Sequence, residues 1–379
     1  MKRALYLFSF ICCLLLLTGC WDAHDLQTEN HVSSLGFDYK EGNYIVYAQL
    51  FSFGNLAKQA GTPSGKPSVY IGKGEGKAIL SAIDNLVSNS HLRLNFSHVK
   101  TIVLSEEFLE HGEFDKLIDG MTRNRQLRLK PYIYGTKEKV EDILTISGYF
   151  NLPPMYTNLV MPEDHFKQRS HIPPIMLHEF IIDIYEPATT VQLPSVKITT
   201  KWKEQGKETE VVTLDGIYAI EKGRLKGWLS ESELNGKRWL NGDYNKSLTT
   251  LESNNELTVV QIFKPKGKVV INTTNPLSFR LHLTGKGAII EQGNKLAENA
   301  IEKELNKVIT REIETTFTTA IAQGIDIYNV KEKIYRSNLQ GWKEIQDNQV
   351  ELTRESLKDI VIDIELTHAG DRKMKNKGY

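Results

Sequence analysis

Cysteine is scarce in this chain of 379 residues, and its three copies, Cys12, Cys13 and Cys20, all lie near the N-terminus. The rest of the chain can therefore form no disulfide and no thiolate metal site, and it offers no cysteine nucleophile. Its stability must come from the burial of apolar side chains in a core.

An excess of charge is also missing, because 47 basic side chains balance 47 acidic ones. Loss of the first nineteen residues would remove Lys2 and Arg3 and no acid, which leaves 45 basic and 47 acidic side chains, a formal net charge of −2. Such a balance gives no reason to expect a nucleic-acid partner.

Motifs that would identify an enzyme are missing as well. The glycine-rich segment 72–77 lacks the spacing and the Lys-Ser/Thr ending of a phosphate loop, and we interpret it as a glycine turn before a helix. His178-Glu179 starts like a zinc-protease motif, but Ile182 stands where the second histidine is needed. The sequence has no Gly-x-Ser-x-Gly elbow. We therefore predict no catalytic residue, no cofactor and no metal site.

The first residues have the pattern of a secretory signal. Lys2 and Arg3 precede an apolar run of 14 residues, from Ala4 to Leu17, and the sequence turns polar again directly after Cys20. A membrane-spanning helix needs about 20 apolar residues, so this run indicates a cleaved signal rather than a span. No later apolar run approaches that length. We expect a water-soluble body that is held at a membrane by one end.

Leu17-Thr18-Gly19-Cys20 fits the bacterial lipobox, in which an apolar residue and two small ones precede a cysteine. We predict cleavage between Gly19 and Cys20 and attachment of a diacylglycerol to the Cys20 thiol. Two or three acyl chains give lasting membrane attachment, whereas one chain is marginal. The alternative is an ordinary signal peptide, with Cys20 an unmodified core thiol.

The body is long enough to need more than one core, and we expect two or three domains. Apolar alternation predicts hairpins and short buried strands, and helical spacing recurs between them, so the predicted class is α+β, with mixed sheets packed by helices. We place an N-terminal α/β region of two subdomains at residues 20–200, a linker at 201–213 and a C-terminal α+β domain at 214–379. The charged and polar residues 201–210 form either an inter-domain hairpin or a linker.

Two helices are predicted in the C-terminal domain. Ser230 to Leu240 should be a short helix, with Ser230 and Glu233 forming a capping box. Asn294 to Gln323 should be the longest helix, ended by Gly324. One stripe of this helix is apolar: Ile301, Leu305, Val308, Glu312/Ile313, Phe317 and Ile321. Core packing explains the stripe most simply, and a groove for a partner is the alternative.

Several short segments of the sequence resemble those of a known family. Cys20-Trp21-Asp22, directly after the lipobox, resembles the start of the Ger(x)C family of spore germination lipoproteins. In that family a polar stretch leads to a Gly-x-Asp strand, which is similar to residues 36–38 here. Segments 97–100 and 123–128 are similar to two further family segments, although Asn124 stands where aspartate is usual.

The resemblance continues through the second half. The hairpin at 216–229 and the segment 230–234 are similar to a family hairpin and helix, with Ile217 and Ile220 as departures. Several residues near the C-terminus also fit: Asp326, Ile334-Tyr335-Arg336 and Trp342. The Gly-Phe-Gly that usually follows the aspartate is replaced by residues 327–329.

The resemblance implies a non-enzymatic C subunit of a nutrient germinant receptor. Such a subunit acts with A and B subunits on the outer face of the inner spore membrane, and its fold is α+β in three domains. Two other functions stay open at this stage. One is a lipoprotein that binds a solute for a transporter, and the other is an anchored envelope hydrolase.

Overall fold

A computed structural model of the chain describes residue 3 and residues 29–51, 69–123, 126–168, 172–240, 246–253, 256–292 and 298–368. The predicted cleavage site, Cys20 and Asn124 lie outside these residues. None of the helices in the described part of the chain combines the length and the apolar character that crossing a bilayer requires.

The first sheet has nine strands, in the order β3-β2-β1-β5-β6-β7-β8-β9, with β4 beside β1. In the chain these are β1 (Glu29–Lys40), β2 (Asn43–Phe51), β3 (Tyr70–Gly76), β4 (Arg93–Asn95), β5 (Thr101–Ser105), β6 (Tyr132–Thr136), β7 (Thr190–Glu204), β8 (Lys207–Glu221) and β9 (Arg224–Ser230). The central strands pair in parallel and the outer ones antiparallel. This arrangement confirms the predicted mixed sheet.

Helices cover both faces of this sheet. They are α1 (Ile79–Ser88), α2 (Glu106–His111), α3 (Phe114–Arg123), α4 (Val140–Thr145), α5 (Pro162–Gln168) and α6 (Leu177–Tyr185). Val46 and Ala48 of β2 face a core that contains α1, α2, α3 and α6, whereas Ile45 and Tyr47 face a second core that contains α4. The apolar residues on both faces of β2 therefore reflect an interior position in the sheet, one strand in from the edge and covered on both faces.

The glycine-rich segment 72–77 is where the sequence interpretation was wrong, because most of it is the edge strand β3 rather than a turn. Gly72, Gly74 and Gly76 alternate along β3 on the face that packs against α1. A Cβ atom on Gly74 would lie 2.2 Å from the carbonyl oxygen of Ala82 in that helix. The glycines let the helix approach the strand at backbone distance.

Residues 201–213, for which the sequence predicts a linker, form the far end of the β7–β8 hairpin. Gln205 and Gly206 make its turn, with φ of 51° and 86°. Most side chains at this end are exposed. The division into domains stays a prediction.

The second sheet has four strands in the order β10-β11-β12-β13, which are β10 (Lys246–Ser253), β11 (Glu256–Thr274), β12 (Leu277–Gln292) and β13 (Leu357–His368). Three helices accompany it: α7 (Glu298–Ala322), α8 (Val330–Ser337) and α9 (Leu339–Asp347). The predicted long helix is α7, and Gly324 follows it with φ of 70°. Ile301, Leu305, Ile313 and Phe317 are buried in one core with the sheet, which supports the packing interpretation of the stripe.

Segment 230–240 is shorter and tighter than the predicted α-helix. Turns lead into a 3₁₀ helix at Asn235–Trp239. The predicted capping box is nevertheless formed, because the Ser230 amide donates to Glu233 Oε2 at 2.7 Å and the Glu233 amide donates to Ser230 Oγ at 3.3 Å. A Cβ atom on Gly236 would lie 2.5 Å from the carbonyl oxygen of Glu312, so this segment packs directly against the α7 backbone.

Candidate functional site

The only site residue that the sequence predicts, Cys20, lies outside the described residues, so lipid attachment stays a prediction. Four of the residues in the segments compared with the family lie in the described part of the chain at specific contacts. Gly36 and Asp38 pack helices against the first sheet. Asp326 and Asn329 lie near the contact between the two halves of the chain.

Gly36 and Asp38 fix helices against β1. A Cβ atom on Gly36 would lie 2.2 Å from Val140 Cγ1, so glycine lets α4 pack closely on the strand. Ser105 Oγ donates to Asp38 Oδ1 at 2.5 Å and accepts from the Phe108 amide at 3.0 Å. Asp38 thus orients the serine that caps α2.

The two halves meet where the start of β7 contacts the chain after α7. Gln192 Nε2 donates to the Ile327 carbonyl at 2.9 Å, and the Thr190 amide donates to Asn329 Oδ1 at 2.9 Å. Lys237 Nζ also donates to Gln192 Oε1. We call these five residues the junction. Its partly buried polar groups form hydrogen bonds across the two halves, which ties the halves together.

The junction contains Ile327 and Asn329, two of the residues at which the chain departs from the family pattern. Asn329 has φ of 49°, in the left-handed region, where asparagine is one of the few residues besides glycine that is readily accommodated. Its side chain also supplies the contact to Thr190, which a glycine would lack. Asn329 therefore holds a left-handed conformation and adds a hydrogen bond to Thr190. Sequence reasoning found the departure but not this role.

Asp326 is a buried carboxylate at the start of α8. Its oxygens accept from the amides of Val330 at 2.9 Å and Lys331 at 2.8 Å. Burial raises the pKa of Asp326 to about 6, although the two amide hydrogen bonds act in the opposite direction. The aspartate of the family pattern therefore serves as a helix cap whose ionised form is costly to bury.

The pKa of Asp326 predicts a dependence of stability on pH. Because the folded pKa is raised to about 6 from 3.8, the folded state binds more protons than the unfolded chain in this window, and stability is lost as pH rises through it. The shift corresponds to on the order of 3 kcal/mol. The side-chain amide in Asp326→Asn cannot ionise, so the stability of this variant lacks this dependence on pH.

We therefore expect the free energy of unfolding of Asp326→Asn, relative to the unchanged protein, to increase between acidic and neutral pH. Denaturant titrations at a series of pH values measure it. A difference between the two proteins that is independent of pH would contradict the prediction.

Glu312 is the one acid in the stripe of α7, and the structure shows why it is there. Its carboxylate accepts from Arg238 Nη2 at 2.7 Å and from Trp239 Nε1 at 2.7 Å. The Arg238 guanidinium also lies over the Trp239 ring, 4.6 Å from its centroid. This partly buried group joins the 3₁₀ segment to α7 and is structural.

His178 and Glu179, the pair that starts like a zinc-protease motif, make local structural contacts. His178 Nδ1 lies 3.1 Å from the Leu129 carbonyl oxygen, and Glu179 Oε2 accepts from the Met176 amide at 2.8 Å. One group in the described part of the chain has metal-ligand spacing, Glu107, Glu110 and His111, and all three residues are exposed.

One small cavity of about 20 Å³ lies between β6, β7, β8 and the loop that carries α5. Its lining is mostly apolar and includes Tyr134, Leu159 and Val212. Tyr134 is buried, and its hydroxyl has no hydrogen-bond partner among the residues that the structure describes. The volume is that of about one or two water molecules.

Two family models match the chain in succession. The model described as "Spore germination protein N-terminal domain" matches residues 22–198, and the model described as "Spore germination B3/GerAC like, C-terminal" matches residues 215–370. Together they span nearly the whole body.

Individual relatives match at similar length. The chain is 23% identical to spore germination protein KC of Bacillus subtilis, over 96% of this chain and 94% of that protein. It is 25% identical to spore germination protein B3 of Bacillus subtilis, over 85% of this chain and 82% of that protein. The crystal structure of the GerBC protein matches with a TM-score of 0.55 and 17% identity, over 89% of this chain and 97% of that chain. This structural match confirms the α+β, multi-domain fold.

Proposed function

The chain belongs to the Ger(x)C, or GerAC-like, family of spore germination proteins, and from this premise we propose that it is the lipid-anchored C subunit of a nutrient germinant receptor. The observation that carries the proposal is the succession of both family models in one chain, directly behind a lipobox that ends at Cys20. The near full-length matches to germination proteins KC and B3 support it.

We infer that the subunit is not an enzyme and acts by holding or coupling other subunits. In the described residues, the polar groups that carry the family resemblance cap helices or join the two halves, as Asp38, Asp326 and Asn329 do. Structural contacts of this kind fit a subunit that must keep a fixed shape. The proposed partners are the A and B subunits, at the outer face of the inner spore membrane.

We also propose the division of the body into residues 20–200, 201–213 and 214–379. The family models support it, because one ends at residue 198 and the next begins at residue 215. The β7–β8 hairpin would then belong to both parts, since its two strands lie on either side of this boundary.

Deletion of the gene tests the proposed function. Spores without the protein are expected to lose the response to at least one nutrient, because a receptor that lacks one subunit cannot signal. The measurement is the fraction of spores that germinate with each nutrient of a panel. Reintroduction of the unchanged gene is the control and should restore the response. Unchanged responses to every nutrient, in a strain without other genes of this family, would contradict the proposal.

A further inference from the structure

The position at which the chain enters the first sheet determines which surface can lie near the proposed membrane. Eight residues, 21–28, separate Cys20 from Glu29, the first residue of β1. A fully extended chain spans at most about 3.6 Å per residue, so Glu29 lies within roughly 30 Å of the anchored cysteine. The edge of the sheet at which β1 begins, formed by strand ends and distinct from the edge strands β3 and β9, is therefore held close to the bilayer.

The parallel pairing brings two loops toward this same edge. Glu29 pairs with Arg93 of β4. β5 and β6 begin five residues further along β1, because Ser34 is in register with Thr101, which is in register with Tyr132. The segments that precede these strands, residues 91–100 and 126–131, must lie at the edge as well. A hydrogen bond of 3.3 Å from the Phe96 amide to Gln126 Oε1 joins the two loops.

Exposed basic and apolar side chains cover these loops. Arg93, Lys100, Arg128 and Lys130 are exposed, and so are the two leucines beside the arginines, Leu92 and Leu129. We call these six residues the tether edge. Each loop thus presents an exposed leucine next to an arginine.

The acidic groups near this edge are engaged by neighbours. Glu29 accepts from Asn95 Nδ2 at 2.6 Å and lies 4.0 Å from Arg93 Nε. Glu163 accepts from the Tyr132 hydroxyl at 2.8 Å, and Glu179 caps α6. Burial lowers the pKa of His98, and His31, Arg128 and Lys100 lower it further, which agrees with a positive potential here.

We propose that the tether edge is a lipid-facing surface that binds the anionic headgroups of the bilayer to which the chain is anchored. Arginine and lysine attract anionic lipid headgroups, and exposed leucines can enter the boundary between headgroups and acyl chains. The short reach from Cys20 favours a bilayer over a distant partner protein as the occupant. The inference rests on the proposed lipid attachment, which supplies the first of two membrane contacts.

Vesicle binding tests this surface without the acyl chain. The probe is the mature chain, residues 20–379, with Cys20→Ser, mixed with phosphatidylcholine vesicles that contain either about 30% phosphatidylglycerol or none. We expect binding to the anionic vesicles only, and we expect it to weaken as salt concentration rises. Sedimentation of vesicles with bound protein measures it.

The decisive variant is Lys100→Gln/Arg128→Gln/Lys130→Gln, which leaves Arg93 in place beside Glu29. Each basic residue near an anionic surface contributes about 5-fold in affinity, so the triple variant should bind roughly 100-fold more weakly. The control is Lys264→Gln/Lys266→Gln/Lys268→Gln, which removes three exposed lysines of β11 in the second sheet. It changes the net charge equally and should bind like the unchanged protein.

Equal losses in the two triple variants, or no binding of the unchanged protein to anionic vesicles, would overturn the proposal. Thermal unfolding of each variant shows that it is folded. Because the assay contains no acyl chain, its failure leaves the proposed anchor intact, whereas the anchor is tested by acyl labelling of Cys20. Capture of a protein partner that depends on the tether edge, without vesicle binding, would also overturn the lipid assignment.

Discussion

Cells that produce the protein with Cys20→Ala are expected to show no acyl label on it and to retain its first nineteen residues. The thiol is the group to which the diacylglycerol is attached, so an alanine leaves no atom for the thioether bond. Cleavage between Gly19 and Cys20 follows lipid attachment in the proposed sequence of events and should fail too. Growth with a labelled fatty acid, followed by mass spectrometry of the N-terminus, measures both effects.

The chain offers a matched control for this experiment. Cys13 lies inside the apolar run of the signal and leaves with it, so Cys13→Ala should be labelled and cleaved like the unchanged protein. Spores with Cys20→Ala should respond to nutrients as poorly as spores without the gene, because the protein then lacks the acyl chains that give lasting membrane attachment. Continued labelling of Cys20→Ala, or its cleavage after Gly19, would contradict the assignment of Cys20.

A second large effect is expected at Gly74, where β3 meets α1. A Cβ atom there would lie 2.2 Å from the Ala82 carbonyl oxygen and 2.5 Å from the Leu86 nitrogen. These are backbone atoms of the helix, which cannot rotate away as a side chain can. Gly74→Ala should therefore push α1 off the edge strand and lower the free energy of unfolding by about 3 kcal/mol, the upper part of the range for overpacking.

Two further glycine substitutions provide a graded comparison for the loss of stability expected at Gly74. A Cβ atom on Gly72 would lie 2.8 Å from Leu86 Cδ1, the movable end of a side chain, so Gly72→Ala should cost about 1 kcal/mol. On Gly285 of β12 the nearest atom would be 3.5 Å away, which is ordinary contact, so Gly285→Ala should be nearly neutral. Denaturant unfolding measures all three. A Gly74→Ala protein as stable as Gly285→Ala would show that α1 does not pack on β3 at this distance.

The sequence predicted features that depend on local pattern and missed those that depend on distant neighbours. Hairpins, the long helix α7 and the Gly324 stop follow from periodicity and turn chemistry, and the structure contains all three. The edge strand β3 was missed because glycine is unfavourable in an isolated strand. Its glycines make sense only when α1 is placed against them.

Pro265 is a second example of tertiary context. A proline normally argues against a continuous strand, because it cannot donate a hydrogen bond to a neighbouring strand. The structure has one strand, β11, from Glu256 to Thr274, with a register shift between Phe263 and Lys266. The bulge takes up the residue that cannot donate a hydrogen bond.

The residues that carry the family resemblance show the same contrast between local pattern and distant contacts. The resemblance identified the unusual residues 327–329, but the partners of Ile327 and Asn329, which are Gln192 and Thr190, are more than a hundred positions away in the chain. Glu312 is an acidic exception in the apolar stripe, and only its hydrogen bonds to Arg238 and Trp239 explain its presence there. Pairings of this kind depend on how the two sheets are arranged, and no local pattern contains that information.

The β7–β8 hairpin limits how proteins of this kind can exchange parts. The boundary between the two family models falls within it, yet Lys197 to Thr199 of β7 pair with Val211 to Thr213 of β8 across that boundary. A hybrid of two paralogues joined there would have to match backbone hydrogen bonds and side chains from different parents along one ladder. A join in the turns at residues 231–234, after β9 completes the first sheet, would cut no strand pair. Recombination that preserves function should therefore favour that position over the apparent border of the two modules.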